Sequence, residues 1–165
     1  MLWPHEDVAS LNEFYGDPRG HSGHVNPEWE AANIVEIIPP YKMLYSGGGE
    51  MHHLRVHKKC AGTFMSVLEG IKAHYGTQEA IEAVRMHLTG GADCYRTERG
   101  GSRLSVHSWA CAIDMDPQHN PYPHEWHPGK GMIPIEVIAI FKAAGFCWRG
   151  EGHDIDPMHF QLCQH

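Results

Sequence analysis

Imidazole and carboxylate side chains crowd into two short stretches of this sequence. The first reads Ser105-Val106-His107-Ser108-Trp109-Ala110-Cys111-Ala112-Ile113-Asp114-Met115-Asp116, and the second Glu151-Gly152-His153-Asp154-Ile155-Asp156-Pro157-Met158-His159-Phe160. Together they supply what metal-assisted hydrolysis needs. Two neutral imidazoles and a carboxylate can hold an ion with one position left open. A further carboxylate, not itself a ligand, can take a proton from water and return it to a leaving amine. With 15 histidines in the chain, however, a histidine seven residues before an aspartate arises by chance easily. Spacing alone leaves a metal site and a set of solvated loop histidines equally open. Asp116 lies one strand step beyond Asp114, on the same face, and competes with it as a ligand. Asp154 and Glu151 compete with Asp156 as the base, and His153 competes as a ligand. His119, His124 and His127 fall in a proline-rich loop where a surface role is the default. His52, His53 and His57 precede the first long helix, where packing or hydrogen bonding is the default.

The elements that must position these residues follow from periodicity. Residues 1–50 are rich in Gly, Pro, His and Asn and read as an arm with one extended segment at Ile34-Val35-Glu36-Ile37-Ile38, then a flexible turn at Gly47-Gly48-Gly49. Cys60, Phe64, Val67, Leu68 and Ile71 share one face of a helix over 59–75 that Gly76 stops. Thr77 caps a second helix whose face is Ala80, Ile81, Val84 and Leu88, ending at Gly90-Gly91. Short strands are predicted at 93–97 and 111–115, a loop at 117–131, and a helix from Pro134 to Gly145. Final strands are predicted at 146–148 and 159–163. Early helices and neighbouring strands predict an α+β fold with a small antiparallel sheet.

Composition narrows the class. A chain of 165 residues with 42% apolar and 20% charged residues is sized and composed as one globular domain. The net charge of −7 argues against a nucleic-acid binder and against simple adhesion to an anionic polymer. Five cysteines, with no C-x-x-C pair, read as small core residues rather than as a disulfide framework or a thiolate cluster. The opening Met1-Leu2-Trp3-Pro4-His5-Glu6 has neither the basic nor the apolar region of a signal peptide. No apolar run approaches the ~20 residues that span a bilayer.

The pattern Ser105-x-His107-x-x-Ala110-x-Ala112-x-Asp114, followed by Asp156-x-x-His159-Phe160, resembles the paired motifs of the M15 metallopeptidases. These are the D-Ala-D-Ala carboxypeptidases and dipeptidases and the L-alanyl-D-glutamate endopeptidases, including single-domain phage endolysins. Cys94-Tyr95-Arg96-Thr97-Glu98-Arg99-Gly100-Gly101 resembles the arginine-bearing segment that precedes the first motif in that family. The resemblance covers residues 55–163. It implies a hedgehog-like or DD-peptidase-like α+β fold, in a single peptidase domain over 1–165 made of the arm (1–50) and a zinc peptidase core (55–163). It implies that His107, Asp114 and His159 hold one Zn2+ per chain and that Asp156 is the general base and acid. Arg96 becomes the substrate or oxyanion partner, while Ser105, Arg99 and Trp109 support the metal or touch the substrate. Ala110 stands where the family has Gly. If that position needs a positive φ, the methyl costs about 1 kcal/mol. The substrate implied is the stem peptide of peptidoglycan. An enzyme of this kind is expected to be a monomer held in the host cytoplasm until a membrane-permeabilising partner releases it to the wall, without inserting in the membrane. A non-catalytic zinc-stabilised module that binds the wall or a protein is the alternative, and the free carboxylate of Asp156 argues against it.

Overall fold

The computed structural model describes residues 2–152 and 155–165, so the competing roles of His153 and Asp154 lie outside the described residues. The arm is more ordered than its composition predicts. Asp7 accepts a hydrogen bond from Ser10 N–H at 2.9 Å and caps α1, Val8–Tyr15. Asn26 caps α2, Pro27–Asn33, with proline in its first turn. Both helices are two turns or so long, too short for a periodic stripe to register in the sequence. Strands β1 (Ile34–Ile37), β2 (Met43–Tyr45), β3 (Glu50–Met51) and β4 (Leu54–His57) follow. β1 pairs antiparallel with β4 in a separate two-stranded ribbon.

Helix α3, Ala61–Tyr75, buries Phe64, Val67, Leu68 and Ile71 as its periodicity predicts, and it stops at Gly76 with φ 77°. Thr77 caps α4, which runs only over Gln78–Ala83. The helix expected to reach Leu88 is therefore corrected: Arg85 turns left-handed at φ 61°, and Leu88–Gly91 forms strand β5. The turn is held from outside the helix. Arg85 Nε lies 2.9 Å from Asp116 Oδ2, and Arg85 Nη2 also bonds the Gly131 carbonyl. Next come a 3-10 turn at Val106–Trp109, β6 (Ala112–Met115), α5 (Ile135–Ala143), β7 (Cys147–Trp148) and β8 (His159–Gln161). Pro134 is the N-cap of α5 rather than its first residue, and Gly145, at φ 98°, follows its end.

The main sheet has the order β3-β2-β5-β6-β8-β7. It is mixed, not purely antiparallel, because β2 and β5 run parallel through Leu44↔Leu88 and Tyr45↔Thr89. The α+β class stands. The strand expected at 93–97 does not form; only Thr97 makes an isolated bridge, to Leu104. Polar bonds replace the ladder there. Ser108 Oγ donates to Arg96 O at 3.0 Å and accepts from Arg96 N–H at 3.1 Å, and Cys94 N–H donates to His107 O.

Helices α3 and α5 cover one face of the sheet, with Phe141 stacked on Phe160 at 3.9 Å and edge-on to Phe146. Side chains from the arm (Leu11, Tyr15, Trp29) share one hydrophobic cluster with them. His57, fully buried, is wired into this cluster. Its Nε2–H donates to Tyr15 O at 3.0 Å and its Nδ1 accepts from Lys59 N–H at 3.1 Å. The hydrogen-bonded role expected of it is the one found.

Burial lowers the His57 pKa to about 4, the bond to Tyr15 opposing this only partly. The folded state therefore keeps His57 neutral where the unfolded chain, near 6.5, begins to take a proton. Its contribution is complete above pH ~6.5 and is lost as pH falls toward 4, by about 2–3 kcal/mol in all. Denaturant melts of the wild type and His57→Gln between pH 7 and pH 4 check this: the wild-type curve falls more steeply, and parallel curves refute it.

Candidate metal centre

Two of the three candidate ligands are placed by strand register. Asp114 on β6 sits directly opposite His159 on β8, with Ile113↔Phe160 and Ala112↔Gln161 as the neighbouring pairs. Strand alternation sends Phe160 to the helix face, where it stacks on Phe141, and leaves His159 and Gln161 on the other face.

His107 comes from the 3-10 turn that precedes β6. Ser105 caps that turn, its Oγ accepting from His107 N–H at 3.4 Å. The turn closes on Ala110, which adopts φ 50° and ψ 36°, the left-handed region. The position does require a positive φ, and here an alanine supplies it at a cost of about 1 kcal/mol relative to glycine. The reversal lets β6 run back beneath His107.

The donor atoms converge. His107 Nε2 lies 3.2 Å from Asp114 Oδ1 and 3.2 Å from His159 Nδ1, and His159 Nδ1 lies 2.9 Å from Asp114 Oδ1. A tetrahedral zinc with bonds of about 2.0–2.1 Å would space its donors by about 3.3 Å, so the triangle fits such an ion within a few tenths of an ångström. The outer ring nitrogens are also committed. His107 Nδ1 faces the Ala92 carbonyl at 3.1 Å, which can only accept, so this nitrogen carries the proton and Nε2 keeps its lone pair. His159 Nε2 faces Gln161 Oε1 at 3.0 Å, which leaves Nδ1 inward. Outward N–H donors of this kind orient metal-binding imidazoles. Among the described residues, this trio is the one group of His, Cys, Asp or Glu donors close enough to share an ion.

Electrostatics follow from burial and proximity. Burial opposes ionisation of Asp114, but the His107 and His159 imidazoles outweigh it and hold the carboxyl well below the usual range. Burial likewise opposes charge on His159, and the bond to Asp114 more than offsets it, so its pKa rises. Asp156 moves opposite to Asp114: burial raises it, aided by the Asp114 charge, against the pull of His159, Arg99 and His107. Its Oδ1 is buried without a hydrogen-bond partner among the described residues, while its backbone carbonyl accepts from His159 N–H. A carboxylate oxygen left without a partner beside a candidate metal triangle is equipped to receive a proton.

These residues line an open cleft of about 220 Å³, together with Ser105, Arg96, Arg99, Arg103, Arg149 and Tyr122. Arg103 is tied to Glu98 and Glu6, and Arg149 to Glu6. Among the described residues the Arg96 guanidinium bonds only the Thr97 carbonyl, and Arg99 lies 5.9 Å over the Tyr122 ring. Both cations stay available to a ligand. Trp109 is a correction: it is fully buried, its indole donates to Asn12 Oδ1 and Gly16 O, and it cannot touch a substrate. Asp116 lies outside the triangle, because the chain turns at φ 42° and its carboxylate pairs with Arg85 and His119. Glu151 is exposed and bonds Lys142.

Sequence reasoning passed over Gln161 and Glu6. Gln161 was findable, since it lies two residues after His159 on a strand and so shares its face. Glu6, joined to Gln161 Nε2 at 2.8 Å, has no sequence signal, being 155 positions away.

Residues 99–162 match the Peptidase_M15_4 family model, described as D-alanyl-D-alanine carboxypeptidase. No curated protein and no solved structure matches the chain. The matched span holds His107, Asp114, Asp156 and His159. The segment 99–162 is thus similar to the M15 peptidases, and the converging imidazoles and carboxylates lie within it.

Proposed function

We propose that the chain is a zinc-dependent peptidase that cleaves a bond in the peptide stem of peptidoglycan, in the manner of a phage endolysin. The observation that carries this reading is the unpartnered carboxylate oxygen of Asp156 beside a triangle of donors whose outer nitrogens are already committed. A purely structural zinc site needs no such base. His107, Asp114 and His159 would hold the ion, which when bound acts as a Lewis acid toward water and the scissile carbonyl. Asp156 takes the proton of the attacking water and delivers it to the leaving amine. Its raised pKa suits it to both halves of that transfer. Arg96 or Arg99 supplies a fixed cationic fork for the oxyanion or for a carboxylate of the stem. The cleft, at about 220 Å³, is smaller than a drug-sized pocket of ~300–1,000 Å³ and suits a bond and its nearest neighbours. Both an L-Ala-D-Glu endopeptidase and a D-Ala-D-Ala carboxypeptidase meet these terms. In the proposed setting the enzyme collects in the host cytoplasm and reaches the wall once the membrane is breached.

Digestion of purified muropeptides, read by mass, tests the reading. A new amino terminus on D-Glu identifies the endopeptidase and released D-Ala the carboxypeptidase. No product from zinc-loaded protein supports the binding-module alternative. Asp156→Asn is expected to retain about one zinc per chain while activity drops by about 10²–10⁴-fold; full activity in this variant removes Asp156 from the mechanism.

A second test probes the support under Asp114. A Cβ on Gly90 would meet Asp114 Cβ at 3.2 Å and Pro117 Cγ at 3.3 Å, so glycine there lets β5 close against the ligand. Gly90→Ala is expected to weaken zinc binding about tenfold, as loss of ligand orientation does. Gly47→Ala, where a Cβ meets nothing within 4 Å, is the control. Equal zinc affinity in the two variants would show that Asp114 does not depend on this contact.

A further inference from the structure

Gln161 is a two-sided side chain, and its sense decides what His159 can do. With Oε1 toward His159 Nε2, at 3.0 Å, the ring carries its proton on Nε2 and presents a lone pair at Nδ1. With the amide reversed, an NH2 group would face Nε2. The ring would then have to place its proton on Nδ1, pointing at Asp114, and could not bind an ion. Nothing intrinsic to glutamine selects between the two.

The Cys163 carbonyl, 3.4 Å from Gln161 Nε2, favours the first sense weakly, and the nearer selecting group comes from the other end of the chain. Gln161 Nε2 donates to Glu6 Oε2 at 2.8 Å, and a carboxylate can only accept. Glu6 is in turn held rigidly. Arg103 Nη2 approaches Oε1 at 3.1 Å, and Arg149 Nη1 and His165 Nδ1 approach Oε2 at 3.2 and 2.9 Å. Burial disfavours its charge, but the bonds from Gln161 and His165 and the Arg149 cation prevail and keep its pKa low. Its backbone is fixed as well. Glu6 N–H donates to Gln164 O and Gln164 N–H to Pro4 O, both at 2.8 Å, so the arm runs parallel to the tail that leaves β8.

We propose that Glu6 is a positioning residue for the metal centre, fixing through the Gln161 amide the form of His159 whose Nδ1 is free to bind the ion. The proposal rests on the zinc reading above. It makes the arm part of the site and not merely a cover for the core. Glu6 itself is not among the residues that would hold the ion.

The test is zinc affinity, measured by competition with a chromophoric chelator, with the thermal midpoint of each zinc-free protein recorded alongside. Glu6→Gln replaces the pure acceptor with an amide that can face Gln161 either way. Its zinc affinity is expected to fall by about 10–100-fold, the usual effect of losing an outer partner. Glu50→Gln removes an exposed carboxylate that pairs with Lys42 away from the cleft, and its affinity is expected to match the wild type. The exchange Glu6→Gln with Gln161→Glu restores an acceptor opposite His159 and a donor opposite that acceptor, with net charge unchanged. It is expected to recover most of the lost affinity, which loss of packing alone would not allow. Unchanged affinity in Glu6→Gln overturns the proposal, as does a folded exchange variant with no recovery. A wild-type protein that binds no zinc overturns the metal-site reading instead.

Discussion

The pairing register between β6 and β8 is the constraint on which the site depends. Asp114 lies opposite His159, and the same ladder sets Ala112 opposite Gln161. Because side chains alternate with a period of two, a slip of one residue would carry His159 and Gln161 to the helix face and bring Phe160 out. That slip is blocked by packing. Phe160 is fully buried between Phe141, stacked on it at 3.9 Å, and Trp148. Burying an aromatic side chain of that size is worth roughly 2–3 kcal/mol, and a slipped register would forfeit it. The core on one face of β8 therefore holds the chemistry on the other.

His107 reaches the triangle by a different route, through irregular backbone. A 3-10 turn capped by Ser105 and closed by a left-handed Ala110 has little stability of its own, and the alanine adds strain. Its surroundings supply the compensation. Trp109 is fully buried with two acceptors for its indole, and Ser108 exchanges hydrogen bonds with Arg96. Ala110 O also accepts from His57 N–H. One ligand thus sits on a turn anchored from three sides, while the other two share a ladder.

The legible and illegible parts of this fold divide along a physical line. Helix α3 and the glycine that ends it were readable because four buried residues repeat with helical period within a helix of fifteen residues. The ligand strands were readable through apolar neighbours such as Ile113 and Phe160. The ends of shorter elements were not. Nothing local tells α4 to stop at Ala83, since what turns the chain is Arg85 reaching Asp116 and Gly131, 31 and 46 positions on. The stretch 93–97 has strand-like residues but is claimed by the Ser108 hydroxyl and the His107 carbonyl. In the site, the candidate ligands follow from the motif. The groups behind them, the Ala92 carbonyl and Glu6, depend on tertiary placement that no spacing encodes.

Charge across the molecule shows the same contrast between local and global. The chain carries a net −7, which at long range would repel an anionic polymer. At physiological salt, however, exposed charges are screened beyond about 8 Å, so a ligand in the cleft feels its lining and little else. Asp156 apart, the acidic groups there are accounted for. Asp114 faces two imidazoles, Glu98 faces Arg103, and Glu6 faces Arg103 and Arg149. Among the described residues Arg96 and Arg99 make no ion pair with a carboxylate of the protein's own, though Arg99 lies near enough to Asp156 to favour its charge. An acidic protein can thus present a cationic rim at one place, provided most of its carboxylates there are already occupied. Glu6 serves both ends of this arrangement: it neutralises the arginines that would otherwise crowd the cleft, and it spends its remaining acceptor capacity on the amide that orients His159.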